Sequence, residues 1–165
     1  MPQRYDSLVM DTDFQTIYSV DSTYKMPRFH LHNVFEIYFS PKGGVHYFVE
    51  NKSYLLEKND ILLFNNLDLH RVVVPPGTEY ERYVTVFDPS FIGSMGTSRT
   101  NLLECFVNRQ PDFCHHRQLE LRQAAEFGEL LERGLRCSSS LEYGADVRKK
   151  IVLCEMLLFV NKLYK

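Results

Sequence analysis

A chain of 165 residues is long enough to bury one good core, and one domain with an appendage is the natural expectation. Hydrophobic residues make up 44% and charged residues 24%, which excludes a disordered or fibrous class. The formal net charge of −2 gives this chain no electrostatic reason to hold a phosphate backbone by itself.

Residues 1–13 are polar with scattered apolar residues and read as an N-terminal arm. From Phe14 to about Phe87 the chain becomes a series of short runs rich in Val, Ile, Phe and Tyr: FQTIYSV, HLHNVFEIYFS, VHYFVE, KSYLL, DILLFNN, HRVVV and EYERYVTVF. PKGG, ENKS, EKND and PPGT punctuate them as turns. Short turns imply antiparallel neighbours, and many short strands need closure to hide their edges, so a small double-sheet barrel is expected. Asp88 and Pro89 read simply as the end of the last strand, and a Gly/Ser/Thr-rich connection follows.

The pattern then turns helical. Leu119, Phe127, Leu130, Leu131 and Leu135 predict one helix between about His116 and Arg136. A second is predicted to start at Ser139, where Ser139 and Glu142 have the spacing of a capping box, and to run to the chain end. Tyr143, Val147, Ile151, Cys154 and Leu158 make one apolar stripe on it, and from Ile151 to Val160 only Glu155 is polar. A helix apolar nearly all round buries more than one side, so its second side is expected to face a partner subunit. Arg148, Lys149 and Lys150 read as a solvated turn. The domain division expected is an arm at 1–13, barrel and connection at 14–110, and a helical dimerisation hairpin at 111–165.

Cys105, Cys114, Cys137 and Cys154 include no C-x-x-C pair and are expected to be reduced buried thiols. MPQRYDSLVM lacks the apolar run of a signal peptide, and IVLCEMLLFV is too short to span a bilayer, so a cytoplasmic protein without membrane contact is expected.

Strand alternation places His30, His32, Val34, Glu36 and Tyr38 on one face, with His70 at the start of another strand. If that face lines a barrel, its polarity needs water, metal or ligand. Structural use, contact with an organic ligand, and coordination of a divalent metal by His30, His32, Glu36 and His70 are the three readings. Tyr38 and Tyr47 are core aromatics or ligand-stacking residues.

His30-Leu31-His32, Glu36 and Gly43 resemble the first motif of the cupin superfamily, and His70 stands where the second motif places its histidine. The resemblance spans roughly residues 24–87. The chain departs from it at Tyr24, where the first motif begins with Gly, and at Asn65 and Leu67, where the second has Pro and Gly. Phe35, Glu36, Ile37, Tyr38, Gly43 or Gly44, Tyr54, Leu56, Asp60 and His70 resemble more closely the sensor domains of AraC-type transcription regulators; Asn59 replaces the usual Gly.

That resemblance implies a cupin double-stranded β-helix, or jelly-roll, barrel followed by two antiparallel helices. It implies an effector-sensing and dimerisation domain that binds a small molecule, a sugar being a common one, through His30, His32, Glu36, Tyr38 and His70. A homodimer would form through the C-terminal helices, and DNA would be reached only through a C-terminal helix-turn-helix domain that this sequence does not contain. The alternative is a metal-dependent cupin enzyme, a dioxygenase or sugar isomerase, with His30, His32, Glu36 and His70 as ligands.

Overall fold

A computed structural model describes residues 5–165. Among the described residues, ten strands form two sheets of five. One is ordered β1 (Tyr5–Leu8), β3 (Phe29–His32), β8 (His70–Val73), β5 (His46–Val49), β6 (Lys52–Leu55). The other is ordered β10 (His116–Gln118), β7 (Asp60–Phe64), β4 (Phe35–Ser40), β9 (Tyr80–Phe87), β2 (Phe14–Asp21). Pairing is antiparallel except between β1 and β3. The strands expected between Phe14 and Phe87 all form, and the double-sheet barrel is as predicted.

The stretch HLHNVFEIYFS differs in one respect. It breaks at Asn33 and Val34 into β3 and β4, which belong to opposite sheets, so the chain turns a corner of the barrel there. Asn33 fixes the corner by accepting from the Met10 amide at 2.7 Å and donating to the Met10 carbonyl at 3.1 Å. Alternation survives the corner, because Glu36 meets His32 and Tyr38 joins the barrel interior while Phe35, Ile37 and Phe39 face the helices.

Runs such as FEIYFS and DILLF are buried at every position because both faces of their sheet are covered. Tyr38, Leu62, Phe64 and Tyr80 point into the barrel with Val45, Tyr47, Val49, Leu56 and Val72 of the facing layer. Phe35, Ile37, Phe39, Ile61, Leu63 and Phe87 point outward into a second core closed by the helices. Gly43 has φ +73°, and a Cβ there would lie 2.4 Å from the Glu57 carbonyl carbon, so this turn admits glycine only. Asn59 takes φ +67°, which asparagine tolerates better than most residues.

The helical part departs further from expectation. Four helices form: α1 (Pro89–Ile92), α2 (Glu104–Val107), α3 (Leu121–Ser138) and α4 (Ala145–Tyr164). Asp88 does more than end β9, because its carboxylate accepts from the Ser90 amide at 2.8 Å and caps α1. Helix α3 starts at Leu121 rather than His116, since His116–Gln118 pairs with β7 as an edge strand; Glu120 and Gln123 make its capping box. Helix α4 starts behind Gly144 at φ +81°, and Ser139 instead closes α3, so Ser139 and Glu142 are not a cap. Tyr143 lies fully exposed before the helix and outside its stripe.

Val152, Leu153, Met156, Leu157 and Val160 of α4 enter the second core, while Val147, Ile151 and Leu158 remain on its outer face. Of the expected arm, residues 1–4 lie outside the described residues and Tyr5–Leu8 is β1. All four cysteines are free. Burial pushes the Cys105 thiol up to about 12, which fits an inert thiol. Among the described residues, no helix is long and apolar enough to cross a membrane.

Candidate functional site in the barrel

The pairing of β3 with β8 sets His30 directly opposite His70. Their ring centroids are 4.2 Å apart, and His32 lies 5.2 Å from His70 and 5.8 Å from His30. The sheet register thus gathers three imidazoles from two strands. Glu36 joins them across the corner, with Oε2 2.8 Å from His32 Nε2.

Backbone carbonyls fix the ring tautomers, because a carbonyl oxygen can only accept. His32 Nδ1 donates to Val34 O at 2.9 Å, and His70 Nδ1 donates to Asp68 O at 2.8 Å. His70 also stacks on Phe64 with centroids 4.1 Å apart. Its Nε2 is therefore left as the lone-pair nitrogen.

The three histidines differ in charge. Burial by itself would push His32 down and Glu36 up, but their mutual hydrogen bond and attraction outweigh it. His32 rises above its ordinary value and Glu36 falls below its own, so the two form a buried imidazolium–carboxylate pair. His30 is lowered to about 4, first by burial and then by His70; burial likewise lowers His70. His30 and His70 are thus held neutral at pH 7, while the Glu36 contact favours the protonated form of His32.

Neutral imidazoles suit a metal as well as a hydrogen-bonding ligand. The ring nitrogens of His30, His32 and His70 lie within 4.8 Å of one another. Metal–nitrogen bonds of about 2.1 Å place neighbouring ligand atoms roughly 3 to 3.5 Å apart, so the set fits a divalent ion after a small closure. His30, His32 and His70 would hold it, with Glu36 as a fourth donor. That requires His32 to give up its Nε2 proton and break its bond to Glu36.

Support reaches outward from His70. The Asp68 carboxylate accepts from the Asn65 amide at 2.7 Å, from His115 Nε2 at 3.1 Å and from the Arg109 guanidinium. Burial opposes the charge on Asp68, but the His115 hydrogen bond and Arg109 hold its carboxyl below the ordinary range. The His115 carbonyl in turn accepts from the Tyr164 hydroxyl at 2.5 Å, in the last turn of α4. A chain of contacts thus runs from the imidazoles to the end of the last helix.

Deeper in the barrel, Tyr38 is completely buried, and its ring lies 4.7 Å from that of Tyr47. Beside them the Arg82 guanidinium lies 4.2 Å from the Tyr80 ring centroid and 4.4 Å from that of Tyr24. Alternation and the pairing of β3 with β8 therefore bring His30, His32, Glu36 and His70 together, while Tyr38 points into the same barrel but stands apart from them, beside Tyr47. Tyr80, Arg82, Asp68, Arg109 and His115 were not anticipated. Arg82 had a signal: it shares a strand face with Tyr80, Val84 and Val86, where a charge is out of place. Arg109 and His115 had none, because they reach Asp68 from far along the chain.

The sequence matches the family model for the AraC-like ligand binding domain over residues 13–151. No curated protein matches it. Among solved structures, apo ToxT from Vibrio cholerae aligns with a TM-score of 0.60 at 14% identity, over 93% of this chain and 58% of that one. ToxT bound to an unsaturated fatty acid aligns with a TM-score of 0.56 at 16% identity, over 93% and 56%. ToxT bound to a methylnaphthalenyl butenoic acid aligns with a TM-score of 0.54 at 17% identity, over 93% and 58%. The present sequence thus spans little more than half the length of these structures, and at such identities the likeness establishes the fold. With a family match over most of its length and a barrel carrying the residues described above, the chain belongs to the AraC-like ligand-binding domain family.

Proposed function

We propose that this chain is the effector-sensing and dimerisation part of an AraC-type transcription regulator, with a small molecule bound inside the barrel. The observation that carries the reading is the pair of neutral, buried imidazoles of His30 and His70, set opposite each other in the barrel of a ligand-binding family. Such groups offer directional hydrogen bonds without the cost of displacing a counter-ion. A molecule that binds them shifts His70, and Asp68, His115 and Tyr164 connect that shift to α4. An effector acts by binding one arrangement of barrel and helix better than another.

The outer face of α4 supplies the partner contact in this reading. Val147, Ile151 and Leu158 are 56%, 47% and 51% exposed on one helix, an apolar stripe suited to a second copy. DNA is then contacted by a helix-turn-helix domain elsewhere in the full protein, as expected for this family.

A thermal-shift screen against sugars and small organic acids, followed by calorimetry of the hits, tests the assignment. A ligand that binds only the folded state raises the melting temperature. His70→Ala and His30→Ala are expected to weaken binding at least tenfold while keeping the fold. Ligands that bind both variants as tightly as the parent would place the site elsewhere.

The proximity of three ring nitrogens favours one second reading, a metal-dependent cupin. Elemental analysis of protein purified without an affinity tag separates the two. Stoichiometric iron, manganese or nickel, lost in His70→Ala, would support the metal reading.

A further inference from the structure

Two donors inside the barrel have no acceptor among the described residues: the Tyr38 hydroxyl and Arg82 Nη1, both buried. The Tyr38 hydroxyl lies near those of Tyr80 and Ser40, but neither is placed to complete a hydrogen bond with it. Buried polar groups are overwhelmingly paired in folded proteins, so two neighbouring orphans mark a place where a partner belongs.

The surroundings say what kind of partner. Arg82 sits on the inward face of β9 between Tyr80 and Val84, and the rings of Tyr24 and Tyr80 each cover it at 4.4 and 4.2 Å. The two ring centroids are only 5.2 Å apart, so they pack on adjacent parts of the guanidinium and leave its remaining N–H groups, set in a planar fork, for a partner. That fork matches a carboxylate in geometry and charge. Tyr38 adds a single O–H donor. The neighbouring interior is apolar and closely packed, formed by Val45, Val49, Leu56, Leu62 and Val72 with the rings of Tyr47 and Phe64, so an apolar body enters as these side chains part.

We propose that the barrel holds an anion-recognition site in which the Arg82 guanidinium and the Tyr38 hydroxyl bind the carboxylate of an organic acid with an apolar body. Tyr24 forms one wall of the site. It belongs to the irregular segment between β2 and β3, which is held against β8 by Arg71 Nε donating to Met26 O at 2.9 Å. Displacement of that segment opens the way in. The proposal rests on effector binding in the barrel and names the class of effector.

Calorimetric titration of the full chain with matched probes tests it: octanoate against octanamide and 1-octanol, and cinnamate against cinnamamide, with inorganic phosphate at equal ionic strength as the charge control. The acids are expected to bind at least tenfold more tightly than their amides and alcohol, and phosphate not at all. Arg82→Gln should abolish acid binding, and Arg82→Lys, which keeps the charge but loses the fork, should retain a weakened response. Tyr38→Phe removes an unpaired hydroxyl, so it should leave the melting temperature of the free protein unchanged or higher while weakening acid binding several-fold. That variant remains informative if Arg82→Gln fails to fold.

Acids and amides binding alike, acid binding that survives Tyr38→Phe and Arg82→Lys unchanged, or binding of phosphate alone would overturn the proposal. A sugar that binds through His30 and His70 and ignores Arg82 would overturn it while leaving the effector-sensing role intact. If neither acids nor sugars bind, both fail.

Discussion

His32 Nε2 lies 2.8 Å from Glu36 Oε2, across the corner where the chain passes from one sheet to the other. Both side chains are buried, so the pair is a charged contact inside the barrel with little solvent screening.

Its signature is a stability maximum near the ordinary histidine pKa. The raised His32 contributes stability fully below 6.5, and that contribution fades as pH climbs through its folded value. The lowered Glu36 contributes above 4.5 and is lost as pH falls through its folded value. His30, at about 4 in the fold, and the lowered His70 oppose protonation, so stability also declines as pH drops from 6.5 toward 4. Urea midpoints of metal-free protein at pH 4.5, 6.5 and 8.5 should be highest at 6.5. Glu36→Gln should cost about 2 kcal/mol at that pH and remove the decline on the alkaline side.

Asp68 is the hub that places His70. Removing its carboxylate leaves the buried His115 imidazole without its partner and the part-buried Arg109 guanidinium with only the Cys105 and Leu63 carbonyls, a change that costs about 3 kcal/mol. Asp68→Ala should show that loss in chemical denaturation at neutral pH. Arg109→Met, which replaces a partner by an apolar chain of similar length, should also destabilise, since the carboxylate then stays charged and underpaired.

Gly134 lets α3 approach β2 closely. A Cβ there would lie 2.5 Å from Thr16 Oγ1 and 3.0 Å from Met156 Cε. Thr16 itself is bonded to Thr85 Oγ1 at 2.9 Å and, through its amide, to Ser138 Oγ at 2.8 Å, so it cannot yield freely. Alanine is the better helix former by about 1 kcal/mol. Gly134→Ala should nevertheless destabilise by about 1 to 3 kcal/mol, since overpacking outweighs propensity. Thermal melts check the sign.

The outer face of α4 should carry self-association. Ile151→Glu and Leu158→Glu alter half-exposed positions that contribute little to the fold, so monomer stability should change by about 0.5 kcal/mol or less. Sedimentation equilibrium should report a dimer for the parent and a monomer for the double variant. A dimer that persists unchanged would assign the interface to another face.

Much of this architecture is legible in the sequence because it rests on local periodicity. Alternation in HLHNVFEIYFS aims His30, His32, Glu36 and Tyr38 inward even though the strand breaks at the corner. The break itself is not readable, because it depends on Asn33 meeting Met10 from elsewhere in the chain. The start of α3 was misplaced for a similar reason: His116–Gln118 is a strand only because β7 offers it an edge. Ser139 and Glu142 have the right spacing for a cap, but Gly144 in the left-handed conformation sets the start of α4. Arg82 stands out only weakly in the sequence, because a lone arginine on a strand usually points to solvent.

The parallel pairing of β1 with β3 has a further consequence. All four residues of β1 are exposed, and they lie against the backbone of the strand bearing His30 and His32, with Asp6 opposite His30 and Leu8 opposite His32. With no buried side chain, β1 is held mainly by its ladder and should be the first strand to exchange its amide hydrogens. Its detachment rate is therefore a native gauge of occupancy: whatever tightens β3 from inside the barrel slows exchange on the outside, and a backbone-amide measurement there reads the interior without a label in the site.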